Sequence, residues 1–119
     1  MGQLLDKEAG GIKMKIGIII TNTDPELVWN ALRFANTAIL EGHYVKIFLL
    51  GAGVEIESIK SEKFKVEEQL EKFNELSGTM LACGTCVKSR QMQFAAVCPI
   101  STMKDMLKIV EESDKVLTF

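Results

Sequence analysis

Cys83 and Cys86 are the residues of this chain whose type and spacing most clearly suggest chemistry. They lie in the segment MLACGTCVKSR, residues 80–90, where an apolar run leads directly into the first cysteine. This order predicts a buried strand that delivers both thiols to the beginning of a helix. Partial positive charge at a helix N-terminus stabilises a thiolate, and Lys88 and Arg90 could add to that field. Because the thiolate is the form that attacks disulfides and persulfides, Cys83 is predicted to be a reactive, sulfur-handling thiol.

Three kinds of reactive site use paired cysteines, and the sequence does not favour them equally. Zinc needs four ligands, whereas the chain has three cysteines and a single histidine, His43. His43 begins the second predicted strand, so it is expected at the opposite end of the sheet, too far away to act as a zinc ligand or a general base. A thioredoxin-type redox site also places Cys-x-x-Cys at a helix start, but there the motif follows an early strand and here it follows the third. Persulfide transfer remains, with Cys83 carrying the sulfur atom and Cys86 resolving or assisting.

The non-reactive alternative is that the cysteines are simply small buried hydrophobic side chains, since free cysteine is among the most buried residue types. Cys98 fits this alternative best, because it ends an apolar segment just before Pro99. Cys83 and Cys86 fit it less well, because a Cys-x-x-Cys at a strand-to-helix junction is a moderately specific functional signal.

Five predicted strands alternate with four predicted helices. The strands are residues 15–21, 43–50, 79–82, 94–98 and 115–119, and the helices are residues 25–41, 65–77, 84–92 and a segment capped by Ser101 or Thr102. The first strand, KIGIII, is apolar without alternation, as in strands that are covered on both faces. The pattern predicts an α/β protein with a flavodoxin-like three-layer fold, in which a five-stranded parallel sheet has the strand order 2-1-3-4-5.

The carboxyl ends of parallel strands meet at one edge of a sheet, where binding and catalytic sites gather. In this chain those ends are residues 21–24, 50–54, 83–86 and 98–101, which places all three cysteines at the same edge. Candidate neighbours of the reactive thiol at this edge are Asn22, Gly53, Gly84, Thr85, Arg90 and Cys98.

Two helices carry predictions about packing. The apolar residues of the first helix cover more than one narrow stripe, which predicts either deep packing or a contact with another subunit. The last helix is amphipathic, and its methionines, Met103 and Met106, are predicted to face the core.

Length and composition exclude several classes of protein. The chain has 119 residues, of which 47% are hydrophobic and 25% charged, as expected for one globular domain. The formal net charge of -2 gives no broad basic field that would favour nucleic acid or an anionic membrane.

The longest apolar runs are strand-sized, so we expect no membrane span, and no signal peptide is evident. An odd number of cysteines favours reduced thiols in the cytoplasm over a disulfide-stapled secreted domain. Residues 1–13 are predicted to be a mobile leader, and residues 14–119 a single domain.

The sequence resembles the DsrE/DsrF-like family of sulfur-relay proteins, which includes sulfur carriers of the TusBCD type. The resemblance covers residues 14–119 and is strongest at ACGTCVKSR, residues 82–90. In the family a cysteine ends the third strand, and an arginine follows seven positions later, often with a glycine next. Cys83 and Arg90 match these positions, whereas Gln91 replaces the glycine, and Cys86 matches the second cysteine of small single-chain relatives.

The resemblance implies a flavodoxin-like fold, assembly into homotrimers or homohexamers, and persulfide formation on Cys83. Together with the residues above, it predicts a cytoplasmic sulfur carrier that works between donor and acceptor proteins without an organic cofactor or a metal. One alternative is a thiol–disulfide oxidoreductase that cycles Cys83 and Cys86. Another is a non-catalytic oligomeric subunit whose cysteines merely pack.

Overall fold

The computed structural model describes residues 12–92 and 99–119. Within these ranges the strands are β1 (Lys15–Ile20), β2 (Tyr44–Leu49), β3 (Thr79–Cys83), β4 (Ile100–Ser101) and β5 (Lys115–Thr118). The helices are α1 (Pro25–Leu40), α2 (Val66–Glu75), α3 (Gly84–Ser89) and α4 (Met103–Glu112). A 3-10 helical segment, Gly51–Ser58, follows β2 and is interrupted at Glu55. The predicted strand at 94–98 and most of the predicted leader lie outside the described residues.

All the strand pairs are parallel, which confirms the predicted α/β class and the five-stranded parallel sheet. The observed order is β4-β3-β2-β1-β5. The predicted order correctly placed β2 beside β1, but it also placed β3 beside β1, where the structure has β5. β3 pairs instead with the other side of β2.

Crossover direction explains this order. A right-handed crossover moves the chain across the sheet in a direction that depends on the face its helix occupies. Since α2 packs directly against α1, the two helices share a face and both crossovers move the chain the same way, from β1 to β2 and on to β3. α4 connects strands in the opposite direction and therefore lies on the other face. Its packing against β1 is close: a Cβ added at Gly17 would lie 2.7 Å from Ser113 Oγ and 3.0 Å from Ile109 Cγ2.

Local sequence signals define the helix ends. Asp24 caps α1, because its carboxylate accepts a hydrogen bond of 2.9 Å from the Leu27 N–H, and Pro25 occupies the first helical position. Thr102 caps α4 in a reciprocal arrangement with Asp105, which selects Thr102 from the two predicted caps. The N–H and hydroxyl of Thr102 both donate to this carboxylate and hold the pKa of Asp105 below its usual range.

The core lies mainly between the sheet and the α1–α2 layer. Its largest fully buried side chains are Phe48, Phe73, Ile18, Ile20, Leu32, Ile47, Leu49, Ile56, Val28 and Asn36. Asn36 links the two helices, because its amide nitrogen donates to both the backbone carbonyl and the side-chain oxygen of Gln69.

The apolar side chains of α4 do not all reach this core. Ile109 is buried and Met106 is partly buried, but Met103 is 57% exposed, so its predicted core position is wrong. Leu107 and Val110 are also exposed. Leu107 and Val110 follow Met103 at helical spacing, so the apolar stripe that the sequence shows on α4 points largely to solvent. α4 packs against β1 through the side that carries Ile109 instead.

On α1 the broad apolar surface is mostly buried, through Val28, Ala31, Leu32, Ala35 and Ala38. Three large apolar residues of this helix, Leu27, Phe34 and Leu40, remain exposed. Among the residues that the structure describes, no helix combines the length and the apolar character needed to cross a membrane.

Candidate functional site

The junction of β3 and α3 places two free thiols side by side. Cys83 is the last residue of β3, which lies between β2 and β4, and its side chain is only 2% exposed. Cys86 is one turn into α3 and is half-buried. Neither sulfur is in a disulfide. The strand-to-helix delivery of both thiols to the carboxyl edge of the sheet is therefore as predicted.

The helix that follows is shorter than predicted. It ends at Ser89 rather than near residue 92, and Gln91 just beyond it has a left-handed φ of 52°. In the family that the sequence resembles, a glycine often occupies the position of Gln91. Glycine adopts a left-handed φ most readily. Since α3 has fewer than two turns, its dipole provides less support for a thiolate than the sequence suggested.

A backbone amide supplies part of the stabilisation of the thiolate that the short helix does not provide. The Gly51 N–H donates to Cys86 Sγ at 3.2 Å. Gly51 opens the 3-10 segment with a φ of 58°, in the region that favours glycine. Two residues later Gly53 packs against the backbone of Ile20, so the start of the 3-10 segment is held against the end of β1.

An ion pair joins the 3-10 segment to the end of α3. Arg90 Nε donates to Glu55 Oε2 at 2.8 Å, and both side chains are partly exposed. Arg90 Nη1 also donates to the carbonyl oxygen of Cys86 at 3.3 Å. The guanidinium therefore lies beside the turn of helix that carries Cys86.

These neighbours act in opposite directions on the Cys86 thiol. Burial is the largest influence and raises the pKa of Cys86 above its ordinary value, and the hydrogen bond and charge of Cys83 raise it further. The Gly51 N–H and the Arg90 charge favour the thiolate and lower the pKa, but they do not outweigh the other effects. In the resting pair, Cys86 is therefore held as a protonated thiol to a higher pH than a free cysteine.

This shift predicts a measurable pH dependence. Alkylation of Cys86 by iodoacetamide should rise with pH about a midpoint above that of a free cysteine, because a raised pKa leaves less thiolate at any given pH. In Cys83→Ala, where the neighbouring thiol is missing, the midpoint should move down. Peptide-resolved mass spectrometry across a pH series measures both rates. A midpoint at or below the free-cysteine value in the native protein would contradict the assignment.

The other predicted neighbours have different positions. Asn22 Oδ1 accepts a hydrogen bond from the Asp24 N–H, so this side chain is engaged in the turn before α1. Gly84 starts α3, where an added Cβ would lie 2.7 Å from Ile100 Cγ2, and Thr85 is exposed between the two cysteines. Cys98 lies outside the described residues.

His43 lies away from the thiols, as the sequence predicts. Its Nδ1 accepts a hydrogen bond from the Met14 N–H, at the end of the sheet where β1 and β2 begin. Within residues 12–92 and 99–119, no group of three or more histidine, cysteine or acidic side chains is placed to hold a metal ion.

Sequence reasoning missed two contributors, Gly51 and Glu55. Gly51 lies in a Gly-Ala-Gly sequence after β2, and nothing in that sequence reveals that its N–H is directed at a sulfur. Glu55 carried no signal at all, because its partner Arg90 is 35 positions away and only the fold brings them together.

The fold and the thiol junction can now be compared with known proteins. Residues 14–119 match the sequence pattern of the DsrE/DsrF-like family. The chain belongs to this family. It is 38% identical over 114 residues to MJ0989 of Methanocaldococcus jannaschii, covering 89% of this chain and all of that protein. It is also 38% identical over 100 residues to MK0008 of Methanopyrus kandleri, covering 79% of this chain and 83% of that protein.

Two solved structures share the fold of this DsrE-like protein. The ychN protein from E. coli superposes with a TM-score of 0.75 at 19% identity, over 91% of this chain and all of that one. BT1422 from Bacteroides thetaiotaomicron superposes with a TM-score of 0.71 at 18% identity, over 88% of this chain and 94% of that one. These similarities confirm the α/β fold, and the family relationship confirms the resemblance that the sequence carried.

Proposed function

We propose that this protein carries sulfane sulfur as a persulfide on the Cys83/Cys86 pair, with Cys83 as the residue that holds it. The observation that carries the proposal is the pair itself: two free thiols meet at the carboxyl edge of the sheet, and a backbone N–H is directed at one of them. Membership of a family generally related to sulfur relay supports the same function.

The chemistry needs only a thiolate and a donor. The thiolate attacks the outer sulfur of a donor persulfide, R–S–SH, and forms a new bond between the protein sulfur and that atom. The bond between the two donor sulfurs breaks, and the donor leaves as R–S⁻. No outside oxidant or reductant takes part, so the proposal includes no organic cofactor.

A mass measurement tests the proposal. We expect the reduced protein, incubated anaerobically with glutathione persulfide and then separated from it, to gain the mass of one sulfur atom. Fragmentation of the peptide that contains both cysteines should locate the retained sulfur on Cys83. The double variant Cys83→Ser/Cys86→Ser should gain none on this peptide, and reduced glutathione, which lacks the extra sulfur, serves as the control reagent. An unmodified native protein would contradict the proposal.

A second function is favoured by the same adjacency of thiols. A thiol–disulfide oxidoreductase would use one cysteine to attack a substrate disulfide and the other to release the mixed disulfide, leaving Cys83 and Cys86 joined. The mass measurement separates the two functions, because this product loses two hydrogens and gains no sulfur. A protein that changes in neither way would be a non-catalytic subunit.

We also propose that the protein is cytoplasmic, forms a homotrimer or homohexamer, and exchanges sulfur with donor and acceptor proteins. Exposed apolar side chains support self-association, namely Leu27 and Phe34 on α1 and Met103, Leu107 and Val110 on α4. Light scattering at fixed protein concentration distinguishes these assemblies from a 13.2 kDa monomer.

A further inference from the structure

The two thiols differ in how a donor could reach them. Cys83 is 2% exposed and closes a strand that has neighbours on both sides, whereas Cys86 is half-buried on the helix that follows. Sulfur transfer is a displacement at sulfur, so the attacking thiolate needs room for the donor and its leaving group. Of the two thiols that the structure describes, Cys86 is the more exposed and so the easier one for a donor to reach.

Cys86 also has the groups that a reacting sulfur needs. The Gly51 N–H, 3.2 Å from Cys86 Sγ, stabilises negative charge on that atom when the thiol loses its proton. Arg90 lies beside the same turn, through its contact with the Cys86 carbonyl oxygen, and the Glu55 carboxylate holds it there. The positive charge of Arg90 favours the thiolate form of Cys86.

Resting on the proposed function, we infer that sulfur enters at Cys86 and is then passed inward to Cys83. In the first step the Cys86 thiolate attacks the outer sulfur of R–S–SH, Cys86–S–SH forms, and R–S⁻ leaves. In the second step the Cys83 thiolate attacks that same outer sulfur. The sulfur–sulfur bond at Cys86 breaks, Cys83–S–SH forms, and Cys86 takes up the proton that Cys83 released. The first step moves the sulfane sulfur from the donor to the protein and the second moves it between two cysteines, so neither step needs an outside oxidant or reductant.

The spacing of the pair allows the second step, and the difference in burial gives it a direction. Two residues three positions apart across a helix start are neighbours along one short piece of chain, so the second step needs no domain motion. The persulfide that forms is on Cys83, the more enclosed of the two cysteines, so the stored sulfur moves away from small nucleophiles in solution. Cys86 then returns to the state in which Gly51 donates to it.

Time-resolved loading with glutathione persulfide tests the order. Samples are quenched with an alkylating agent, and peptide fragmentation reports which cysteine carries the sulfur. In the native protein we expect the sulfur on Cys86 first and on Cys83 later. In Cys86→Ser, which keeps an oxygen to accept the Gly51 N–H, loading of Cys83 should slow by at least roughly tenfold, because the intramolecular route is lost. In Cys83→Ser, Cys86 should load at least as fast as in the native protein, because the neighbouring thiol that raises its pKa is missing, and Cys86 should keep the sulfur.

Each outcome has one meaning. Loading of Cys83 in Cys86→Ser at the native rate would overturn the inward order while leaving the carrier function intact. A native protein that takes up no sulfur would overturn the carrier function, and the order with it. Cys83→Ala repeats the Cys83→Ser measurement without placing a hydroxyl in an apolar site, and circular dichroism confirms that each variant is folded.

Discussion

Replacing Gly53 with alanine is expected to lower the free energy of unfolding by about 3 kcal/mol, which is among the larger effects of a single added methyl group. The new Cβ would meet the carbonyl oxygen of Ile20 and lie 2.8 Å from the carbonyl carbon of the same residue. Both are backbone atoms at the end of β1, which pairs with β2 and β5, so no flexible side chain can move aside. The 3-10 segment must shift instead.

Gly42 provides a matched glycine control. It has a φ of 97° and no atom within 4 Å of an added Cβ, so alanine there strains the backbone without a collision. Gly42→Ala should therefore cost only about 1 kcal/mol. Urea denaturation at one fixed protein concentration measures both variants. If Gly53→Ala were no less stable than Gly42→Ala, the close approach of the 3-10 segment to β1 would be contradicted.

Gly53→Ala should also change the thiol chemistry. Gly51 lies only two residues away, and its N–H is one of the two groups that lower the pKa of Cys86. A displaced 3-10 segment would weaken that hydrogen bond, so the alkylation midpoint of Cys86 should move to higher pH. Gly42, at the far end of the sheet, should leave the midpoint unchanged.

Replacing Phe73 with alanine is expected to have the second large effect, a loss of about 4 kcal/mol of stability. Phe73 is fully buried on α2, and its ring lies against Gly78 so closely that an added Cβ there would be 2.5 Å from Cε1 and 2.6 Å from Cε2. Removing the ring leaves a cavity just before β3, the strand that ends at Cys83. Since small domains have only about 5–15 kcal/mol of stability, much of the reserve would be lost.

Phe34→Ala is the control for Phe73→Ala. Phe34 is 42% exposed on α1, so its truncation should change the stability of the monomer by at most about 1 kcal/mol. Thermal melts compare the two variants at one protein concentration, chosen by light scattering so that both are monomeric, because association alone would raise the melting temperature. Equal losses for the two phenylalanines would contradict the position assigned to Phe73.

The strands and helices could be predicted from the sequence because they depend on local patterns. KIGIII has the apolar run of a strand covered on both faces, and Asp24-Pro25 has the residues that start a helix. Strand order was not accessible in this way, because β5 and β3 present no residue pattern that states which of them lies beside β1. The order depends on the face to which each connecting helix packs.

In the candidate site, too, features that are local in sequence could be predicted and features that depend on tertiary contacts could not. The cysteine pair could be predicted because both thiols are on one piece of chain, whose apolar strand and following helix are visible in residues 80–90. The Gly51 amide and the Glu55 carboxylate could not, since each reaches its partner across 35 positions of sequence. The exposure of Met103 was missed because an amphipathic pattern marks a stripe without saying what covers it.

The hydrogen bond from Gly51 to Cys86 therefore differs in kind from the proximity of Cys86 to Cys83. The first depends on the tertiary packing of the 3-10 segment, and the second on a few backbone angles at one strand-to-helix turn. A partly opened molecule, or a chain emerging during synthesis, could bring the two sulfurs together before the amide is in place. In such a species the two thiols would be adjacent, but the pKa of Cys86 would lack the lowering effect of the Gly51 N–H. Folding therefore adds a hydrogen bond that lowers the pKa of Cys86 to a pair of thiols that the local chain already brings together.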